Sequence, residues 1–277
     1  MTTIPTDGQP LVLEGAQPGK SLLILAGVHG NEPCGVRAIE RFLLEAPQIL
    51  AGSVTFVVGN PEALAKNKRY LDANLNRLFK PDEEVSEVER TAREYARSRE
   101  LLPLLSCADA VLDIHSSQSE DATPFIICGP SALSAATALP FDIVSYGWEI
   151  IEPGGSESFM ERLARSGICV ECGTNDAPEA AERAYRSIVS FLRFYGATAG
   201  QPERQSEQRI LYAYGIYKTK KDFVPTRMFA DFEPVKKGML IGTDGATEVR
   251  ATEDALILFV RKREGPNEEA FIIARED

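Results

Sequence analysis

The sequence lacks any apolar run that approaches the ~20 residues of a membrane span, so we expect no transmembrane segment. Residues 1–10 also lack the basic and apolar regions of a secretory signal peptide. The five cysteines are scattered and odd in number, which disfavours a disulfide framework and suits a reduced compartment. We therefore expect a cytoplasmic protein with no membrane partner.

Positive charge is also in deficit, because 30 lysines and arginines face 41 acidic residues, for a net charge of −11. A nucleic-acid-binding protein needs a basic face to contact phosphates, so this balance excludes nucleic acid as the expected partner. An anionic substrate gains nothing from the overall field of such a protein and requires a local basic patch.

Histidine is scarcer still, with only His29 and His115 in the whole sequence. Each follows an apolar run, residues 21–26 and 110–114, that predicts a buried strand. The carboxyl ends of such strands gather ligand sites in open α/β sheets. Glu32 adds a carboxylate three residues after His29. Two imidazoles and one carboxylate, with a further position left to water, form a catalytic zinc set. We predict one zinc ion per chain on these three residues.

The sequence around His29 also permits a purely structural interpretation. His29 would then only end a strand, and Glu32 would favour a helix N-terminus through the helix dipole. Gly27 and Gly30 allow a sharp turn there, and Pro33 suits the first helical turn. The second histidine at a strand exit favours the metal site.

Residues 20–196 alternate short apolar runs with longer helical patterns, which predicts an α/β sheet with helices on its faces. The expected strands are 22–25, 54–58, 110–114, 124–128 and 168–171. The expected helices are 32–44, 83–105 and 178–195.

The composition then changes, and this change predicts a domain organisation. Residues 197–208 are polar and read as a linker. Residues 209–277 contain short β-type segments between turn signals, which predicts a small C-terminal β domain. We therefore expect a catalytic α/β domain over residues 1–196, followed by the linker and the β domain.

Glu171 ends the apolar run that starts at residue 167. A carboxylate at the end of a buried strand either has a structural partner or is placed for chemistry. A zinc-dependent hydrolase needs a group that takes and returns a proton, so Glu171 is the candidate general base and acid. A buried ion pair is the competing interpretation.

A basic stretch follows the strand at 54–58. Residues 66–80 contain five cations and one acid, a local charge of +4, with Arg69, Asn76 and Arg77 among them. Arginine pairs bidentately with carboxylates, and asparagine adds neutral orienting hydrogen bonds. This stretch is the candidate basic patch for an anionic substrate, and a solvated surface loop is the alternative.

At these residues the chain is similar to the succinylglutamate desuccinylase/aspartoacylase family, which is related to the zinc carboxypeptidases. The similarity covers residues 20–195 and rests on five motifs: GVHGNE at 27–32, NPEA at 60–63, NLNRLF at 74–79, DIHS at 113–116 and VECG at 170–173.

Membership of this family implies a three-layer α/β/α fold with a mixed, zinc-carboxypeptidase-like sheet and a smaller C-terminal β domain. It implies zinc on His29, Glu32 and His115, water activated by Glu171, and substrate contacts at the positions of Arg69, Asn76 and Arg77. The reaction implied is hydrolysis of the amide of a small anionic N-acyl amino acid.

Two positions depart from the family pattern. The motif that usually reads Asp-Leu-Asn-Arg has Asn74 here, and no tyrosine follows Tyr217, where aspartoacylases use a late tyrosine. Both departures argue against N-acetylaspartate as the substrate and leave the zinc chemistry untouched.

The sequence therefore predicts a zinc-dependent N-acyl amino acid deacylase, with Arg69 assisting the oxyanion, and leaves a homo-oligomer open. A metallocarboxypeptidase or amidase acting on a peptide shares the metal set and is the alternative enzyme. A metal-binding relative without catalytic activity is the alternative from another class.

Overall fold

The computed structural model describes residues 3–277. Its strands are β1 Leu11–Glu14, β2 Gln17–Ala26, β3 Ala51–Val58, β4 Ala110–Ser117, β5 Phe125–Cys128, β6 Ile143–Tyr146, β7 Ser166–Thr174, β8 Arg209–Lys218, β9 Phe223–Pro225, β10 Glu233–Val235, β11 Leu240–Asp244, β12 Thr247–Arg250, β13 Ala255–Leu258 and β14 Glu269–Glu276. Its α-helices are α1 Cys34–Glu45, α2 Pro61–Ala65, α3 Arg93–Cys107, α4 Leu133–Ala136, α5 Trp148–Ile151, α6 Ser156–Arg162 and α7 Pro178–Phe194.

Eleven of the strands form one mixed sheet in the order β1-β3-β2-β4-β7-β5-β6-β8-β14-β13-β10. The strands β3, β2, β4 and β7 run parallel to one another, and β5 lies antiparallel to β7. A separate three-stranded sheet has the order β12-β11-β9. Because these four strands are parallel, their carboxyl ends and the loops that follow them lie at the same edge of the sheet.

Helices cover both faces of the parallel part of the sheet. Leu22 and Ile24 of β2 pack in one apolar cluster with residues of α1 and α7. Leu23 and Leu25 point to the other face and pack with residues of α3 and α6. A strand covered on both faces has to be apolar at every position, which explains its near-continuous apolar sequence. The expected three-layer α/β/α fold with a mixed sheet is confirmed.

All five strands expected before residue 196 belong to this sheet. The helix expected over 83–105 is wrong in its first half. That half contains two short 3₁₀ turns, Asp82–Glu84 and Glu89–Thr91, and α3 begins only at Arg93. Val88, within the expected helix, is 81% exposed. Ala92 is extended, with ψ of 147°, and this breaks the helical path immediately before α3.

The C-terminal segment continues the main sheet. Residues 197–208 contain no helix or strand, and β8 then pairs in parallel with β6 and antiparallel with β14. The division into a catalytic domain, a linker and a β domain stays a prediction. Within residues 3–277, none of the helices combines the length and the apolar character that crossing a membrane requires.

Candidate metal centre and substrate cleft

The candidate site lies at the carboxyl edge of the parallel strands. His29 lies three residues after the end of β2, and Asn60 lies two residues after the end of β3. His115 and Glu171 lie near the carboxyl ends of β4 and β7. His115 and Glu171 are register partners in neighbouring parallel strands. Because side chains alternate between the two faces of a strand, register partners emerge side by side on the same face.

The loop that carries His29 and Glu32 depends on two glycines. Gly27 has φ of +64°, in the left-handed region that favours glycine. A β-carbon added to Gly30 would lie 2.0 Å from the backbone carbonyl carbon of Ala63, so only glycine fits there. The backbone N–H of Glu32 donates to the carbonyl of His29 at 3.1 Å, which closes a tight turn.

The three predicted ligands converge on one point. His29 Nδ1 lies 2.9 Å from Glu32 Oε1 and 3.1 Å from His115 Nδ1, and His115 Nδ1 lies 3.0 Å from Glu32 Oε2. All three residues are buried, and their ligand atoms lie within 4.8 Å of one another. His29, Glu32 and His115 therefore form a cluster that is able to hold a metal ion.

Neighbouring groups fix how the imidazoles point. Asn74 Oδ1 lies 3.0 Å from His29 Nε2 and also accepts the backbone N–H of Asn76 at 3.0 Å. An atom that accepts from a backbone N–H is the amide oxygen, so His29 Nε2 carries the proton and Nδ1 keeps its lone pair. His115 Nε2 lies 3.1 Å from Asp113 Oδ2, and this carboxylate favours a proton on Nε2, which leaves Nδ1 facing the cluster. Asn74, which stands where the family pattern has an aspartate, thus still contacts His29 through a neutral amide oxygen.

The charges around the cluster suit a cation. Burial raises the pKa of Glu32, but the charges and hydrogen bonds of His29 and His115 outweigh burial and hold that pKa well below its usual range. Burial lowers the pKa of His115, yet the Asp113 carboxylate outweighs it and raises that pKa well above the ordinary value. Two imidazole lone pairs 3.1 Å apart repel unless a proton or a metal ion lies between them. The residues therefore fit a divalent metal ion.

Glu171 stands beside this cluster with a different electrostatic environment. Burial raises its pKa to about 7, and the charge of Glu32 adds to the effect, while His115, Arg69 and Arg261 oppose it. A carboxyl group with a pKa near neutrality can both accept and donate a proton at physiological pH.

The basic stretch is held against the site by a buried carboxylate that the sequence did not single out. Glu94 accepts the backbone N–H groups of Leu71, Asp72 and Ala73 and the side-chain amide of Asn60, at 2.7 to 3.2 Å. This position lay inside an expected helix, where an acidic residue reads as solvent-exposed. Helix α3 begins one residue before Glu94, which places the carboxylate under the loop.

Arg69 and Asn76 reach the site from this loop. Arg69 Nη1 lies 2.8 Å from Glu32 Oε1, and its side chain is 45% exposed. Asn76 Oδ1 is buried and has no hydrogen-bond partner among residues 3–277. Both side chains line a cavity of about 140 Å³ together with His29, His115 and Glu171.

Arg77 lines the same cavity but is already paired. Its Nη2 lies 2.8 Å from Glu152 Oε1 and 3.3 Å from Glu269 Oε2. Burial raises the pKa of Glu152 to about 8 against the pull of Arg77, and a hydrogen bond to Glu269 adds to the rise. The two carboxyl groups thus share one proton beside one guanidinium, and this group is close to neutral as a whole.

The far wall of the cavity comes from the C-terminal segment, none of whose residues the sequence predictions placed in the site. Phe259, Arg261, Arg263 and Phe271 line it. The signal in the sequence was the basic run at residues 261–263 directly after an apolar strand, the same pattern that drew attention to the other strand exits.

Comparison with known proteins agrees with this geometry. Residues 18–194 match the succinylglutamate desuccinylase/aspartoacylase catalytic domain family. The chain belongs to this family. The match covers the strands, helices and loops that bring His29, Glu32, His115 and Glu171 together, so the expected family is confirmed.

Named relatives of the family differ in how much of the chain they cover. A probable aspartoacylase of Prochlorococcus marinus (strain MIT 9313) is 32% identical over 128 residues, which cover 43% of this chain and 41% of that protein. The chain therefore spans about two fifths of that relative's length. The mouse N-acyl-aromatic-L-amino acid amidohydrolase (carboxylate-forming) is 28% identical over 283 residues, 86% of this chain and 81% of the relative.

Solved structures share the fold over nearly the whole chain. A succinylglutamate desuccinylase/aspartoacylase from Rhodobacter sphaeroides has a TM-score of 0.74 at 20% identity and covers 97% of this chain and 88% of its own. The succinylglutamate desuccinylase from Vibrio cholerae has a TM-score of 0.75 at 17% identity, covering 97% and 85%. At these identities the likeness concerns the fold, including the C-terminal strands.

The carboxyl pair beside Arg77 generates a pH-dependent prediction for Glu152→Gln. A carboxyl group whose pKa is raised by folding contributes stability that is full at acidic pH and is lost as the pH rises through the folded value, here about 8. Glutamine cannot ionise, so the variant avoids this loss. We expect its melting temperature, relative to wild type, to be several degrees higher at pH 9 than at pH 5.

Glu268→Gln, which removes the same charge from an exposed side chain, is the matched control and should shift the melting temperature equally at both pH values. A pH-independent difference for Glu152→Gln would contradict the shared proton.

Proposed function

We propose that this protein is a zinc-dependent hydrolase that cleaves the amide bond of an N-acylated amino acid and releases a carboxylate and an amine. The observation that carries the proposal is the register pairing of Glu171 with His115, which puts a carboxyl group of pKa about 7 beside the three clustered ligands. The names of the relatives, an aspartoacylase and an N-acyl amino acid amidohydrolase, support this reaction class.

His29, Glu32 and His115 would hold one zinc ion through the two Nδ1 atoms and the carboxylate. When bound, this ion supplies a Lewis acid that polarises the scissile carbonyl and acidifies water. Asn74 and Asp113 keep the two imidazoles in the orientation that presents Nδ1. Arg69 lies against Glu32 and is the group placed to donate to the oxyanion that forms as the amide carbonyl is attacked.

Glu171 takes a proton from the attacking water and returns it to the departing amine. A single carboxyl group performs both steps only if its pKa lies near the working pH, and burial provides that value here. Asn76 offers a buried amide oxygen without a partner to an N–H group of the substrate. Arg77 completes this wall and orients the substrate.

The cavity favours a small substrate. Its volume is about 140 Å³, and residues of the C-terminal segment close one side of it. A metallocarboxypeptidase that holds a peptide chain needs an open groove, so this wall favours acylated amino acids over peptides. A relative without activity would have no use for a carboxyl group of pKa about 7 next to the ligands.

We also propose that residues 1–196 form the catalytic unit, that 197–208 act as a linker and that 209–277 form the β domain that closes the cleft. The five cysteines are all free, and this supports a cytoplasmic location. The expected partner is the substrate alone, and a homo-oligomer is left open.

Glu171→Gln tests the assigned base. The amide keeps the shape and hydrogen-bonding capacity of the side chain but cannot accept a proton, so kcat should fall by roughly 10²- to 10⁴-fold. Zinc content, measured by mass spectrometry of the metal, should remain one per chain, because Glu171 is not a ligand.

The matched control is Glu179→Gln, which makes the same change at an exposed position in the first turn of α7 and should keep wild-type kcat. A Glu171→Gln protein that retains zinc and turns over at the wild-type rate would remove Glu171 from the mechanism.

The reaction class is tested with a substrate panel. Zinc-loaded protein is assayed with N-acetyl and N-succinyl amino acids and, in parallel, with matched dipeptides, by detecting the free amine. We expect chelator-sensitive release from an acyl amino acid and little from dipeptides, with activity restored by zinc. Faster release from dipeptides would favour the peptidase, and no release by a protein shown to bind zinc would favour the relative without activity.

A further inference from the structure

Arg77 occupies the position at which the family resemblance places a substrate contact, but its charge is already balanced in this chain. Its Nη2 atom lies within 3.3 Å of carboxylate oxygens of both Glu152 and Glu269. A guanidinium between two carboxyl groups has little attraction left for the carboxylate of a substrate. An anionic substrate therefore needs a different cation in the cavity.

Arg261 is such a cation. Its Nη2 donates only to the hydroxyl oxygens of Ser117 and Ser119, at 3.2 Å each, and its guanidinium carbon lies 5.5 Å from the ring centre of Phe259. Among residues 3–277, no carboxylate oxygen lies within 4.0 Å of its nitrogens. The side chain is half-buried and lines the cavity beside Glu171.

The surroundings of Arg261 increase the attraction for an anion. Burial lowers its pKa, and the neighbouring charges of Arg263 and Arg69 lower it further, while the charges of Asp231 and Glu171 oppose this shift. Arg263 also lines the cavity, and its Nε donates to the backbone carbonyl of Glu269. The guanidinium groups of Arg69, Arg261 and Arg263 thus line one small cavity in a protein with a net charge of −11. Clustering like charges costs free energy, which an anionic ligand recovers.

We propose that Arg261 forms the binding site for a carboxylate of the substrate and thereby selects N-acyl amino acids with a free carboxylate over neutral amides. The planar guanidinium pairs with a carboxylate through two parallel hydrogen bonds, and the hydroxyl groups of Ser117 and Ser119 hold it in place. This inference rests on the proposed function for the identity of the substrate.

The segment after β13 brings an arginine this late in the chain to the site, where it contacts the end of β4. Residue 261 follows β13, which belongs to the same sheet as β4, and Ser117 is the last residue of β4. Phe259, with φ of +55°, turns the chain between β13 and Arg261. The C-terminal segment therefore supplies substrate selectivity, whereas the metal ligands and Glu171 come from residues before 196.

The test measures binding separately from turnover. N-acetyl-L-alanine and N-acetyl-L-alaninamide, which differ only in the carboxylate, are titrated into zinc-loaded Glu171→Gln protein with and without Arg261→Ala. The acid should bind roughly 10- to 100-fold more weakly without Arg261, because a charge-assisted pair is lost. The amide should bind equally to both proteins.

Arg261→Lys keeps the positive charge but cannot form the two parallel hydrogen bonds of a guanidinium, so it should recover part of the affinity for the acid. Arg275→Ala, which removes an arginine of the C-terminal segment that lies over Tyr212 and Tyr214, is the matched control and should bind both ligands as the parent does. Zinc content and thermal unfolding establish that each variant is folded.

Unchanged binding of the acid by the Arg261→Ala and Arg261→Lys proteins would overturn the proposal, as would equal weakening for acid and amide. Turnover is then measured with the same pair in the wild-type background. Arg261-dependent binding of the acid without hydrolysis of any acyl amino acid would sink the proposed function and leave this site standing. Hydrolysis of an acyl amino acid at a rate that does not depend on Arg261 would support the proposed function and overturn the proposal for Arg261.

Discussion

The convergence of His29, Glu32 and His115 is the constraint on which the rest of the site depends. Three buried polar groups within 3.1 Å of one another are costly in an apolar interior unless a cation balances them. The fold accepts this cost because His115 is fixed in a central strand and His29 in a loop that only glycine allows to turn. Without the parallel register of β4 and β7, Glu171 would not reach the cluster.

Charged side chains of both signs surround that cluster in the cleft. Carboxyl groups surround the imidazoles and give the place for a metal ion its negative character, whereas Arg261 and Arg263 line the far wall of the cavity and Arg69 contacts Glu32. Arg77 differs from these arginines, since Glu152 and Glu269 neutralise it. Glu269 belongs to β14, so the C-terminal strands both cancel one arginine of the basic stretch and contribute another, Arg261. Residues from both parts of the chain, before and after residue 196, therefore form the cleft.

Much of this architecture was predictable from the sequence because its signals are local. A buried parallel strand has to be apolar, and a polar side chain at its end stands out, which is how both histidines and Glu171 were found. The metal ligands are brought together as predicted, although their roles stay predictions. The basic stretch was likewise visible as a run of charge.

The parts that were not predictable depend on contacts between residues far apart in the chain. Glu94 lay within the expected helix with nothing in the sequence to distinguish it, and only the fold shows that it holds the loop at 71–73. The partners of Arg77, which are Glu152 and Glu269, lie 75 and 192 residues further along the chain. The extended conformation of Ala92 interrupts the predicted helix, and the next backbone N–H, that of Arg93, donates to the distant Asp72 carboxylate at 3.1 Å.

X-ray absorption spectroscopy at the zinc edge identifies the atoms that bind the metal. Cys34, Cys169 and Cys172 are buried close to the cluster, and a thiolate from one of them is the alternative ligand. With one equivalent of zinc, we expect only nitrogen and oxygen neighbours, at about 2.0–2.2 Å, including imidazole scattering from two histidines. A sulfur neighbour at about 2.3 Å would show a cysteine ligand and contradict binding by His29, Glu32 and His115 alone.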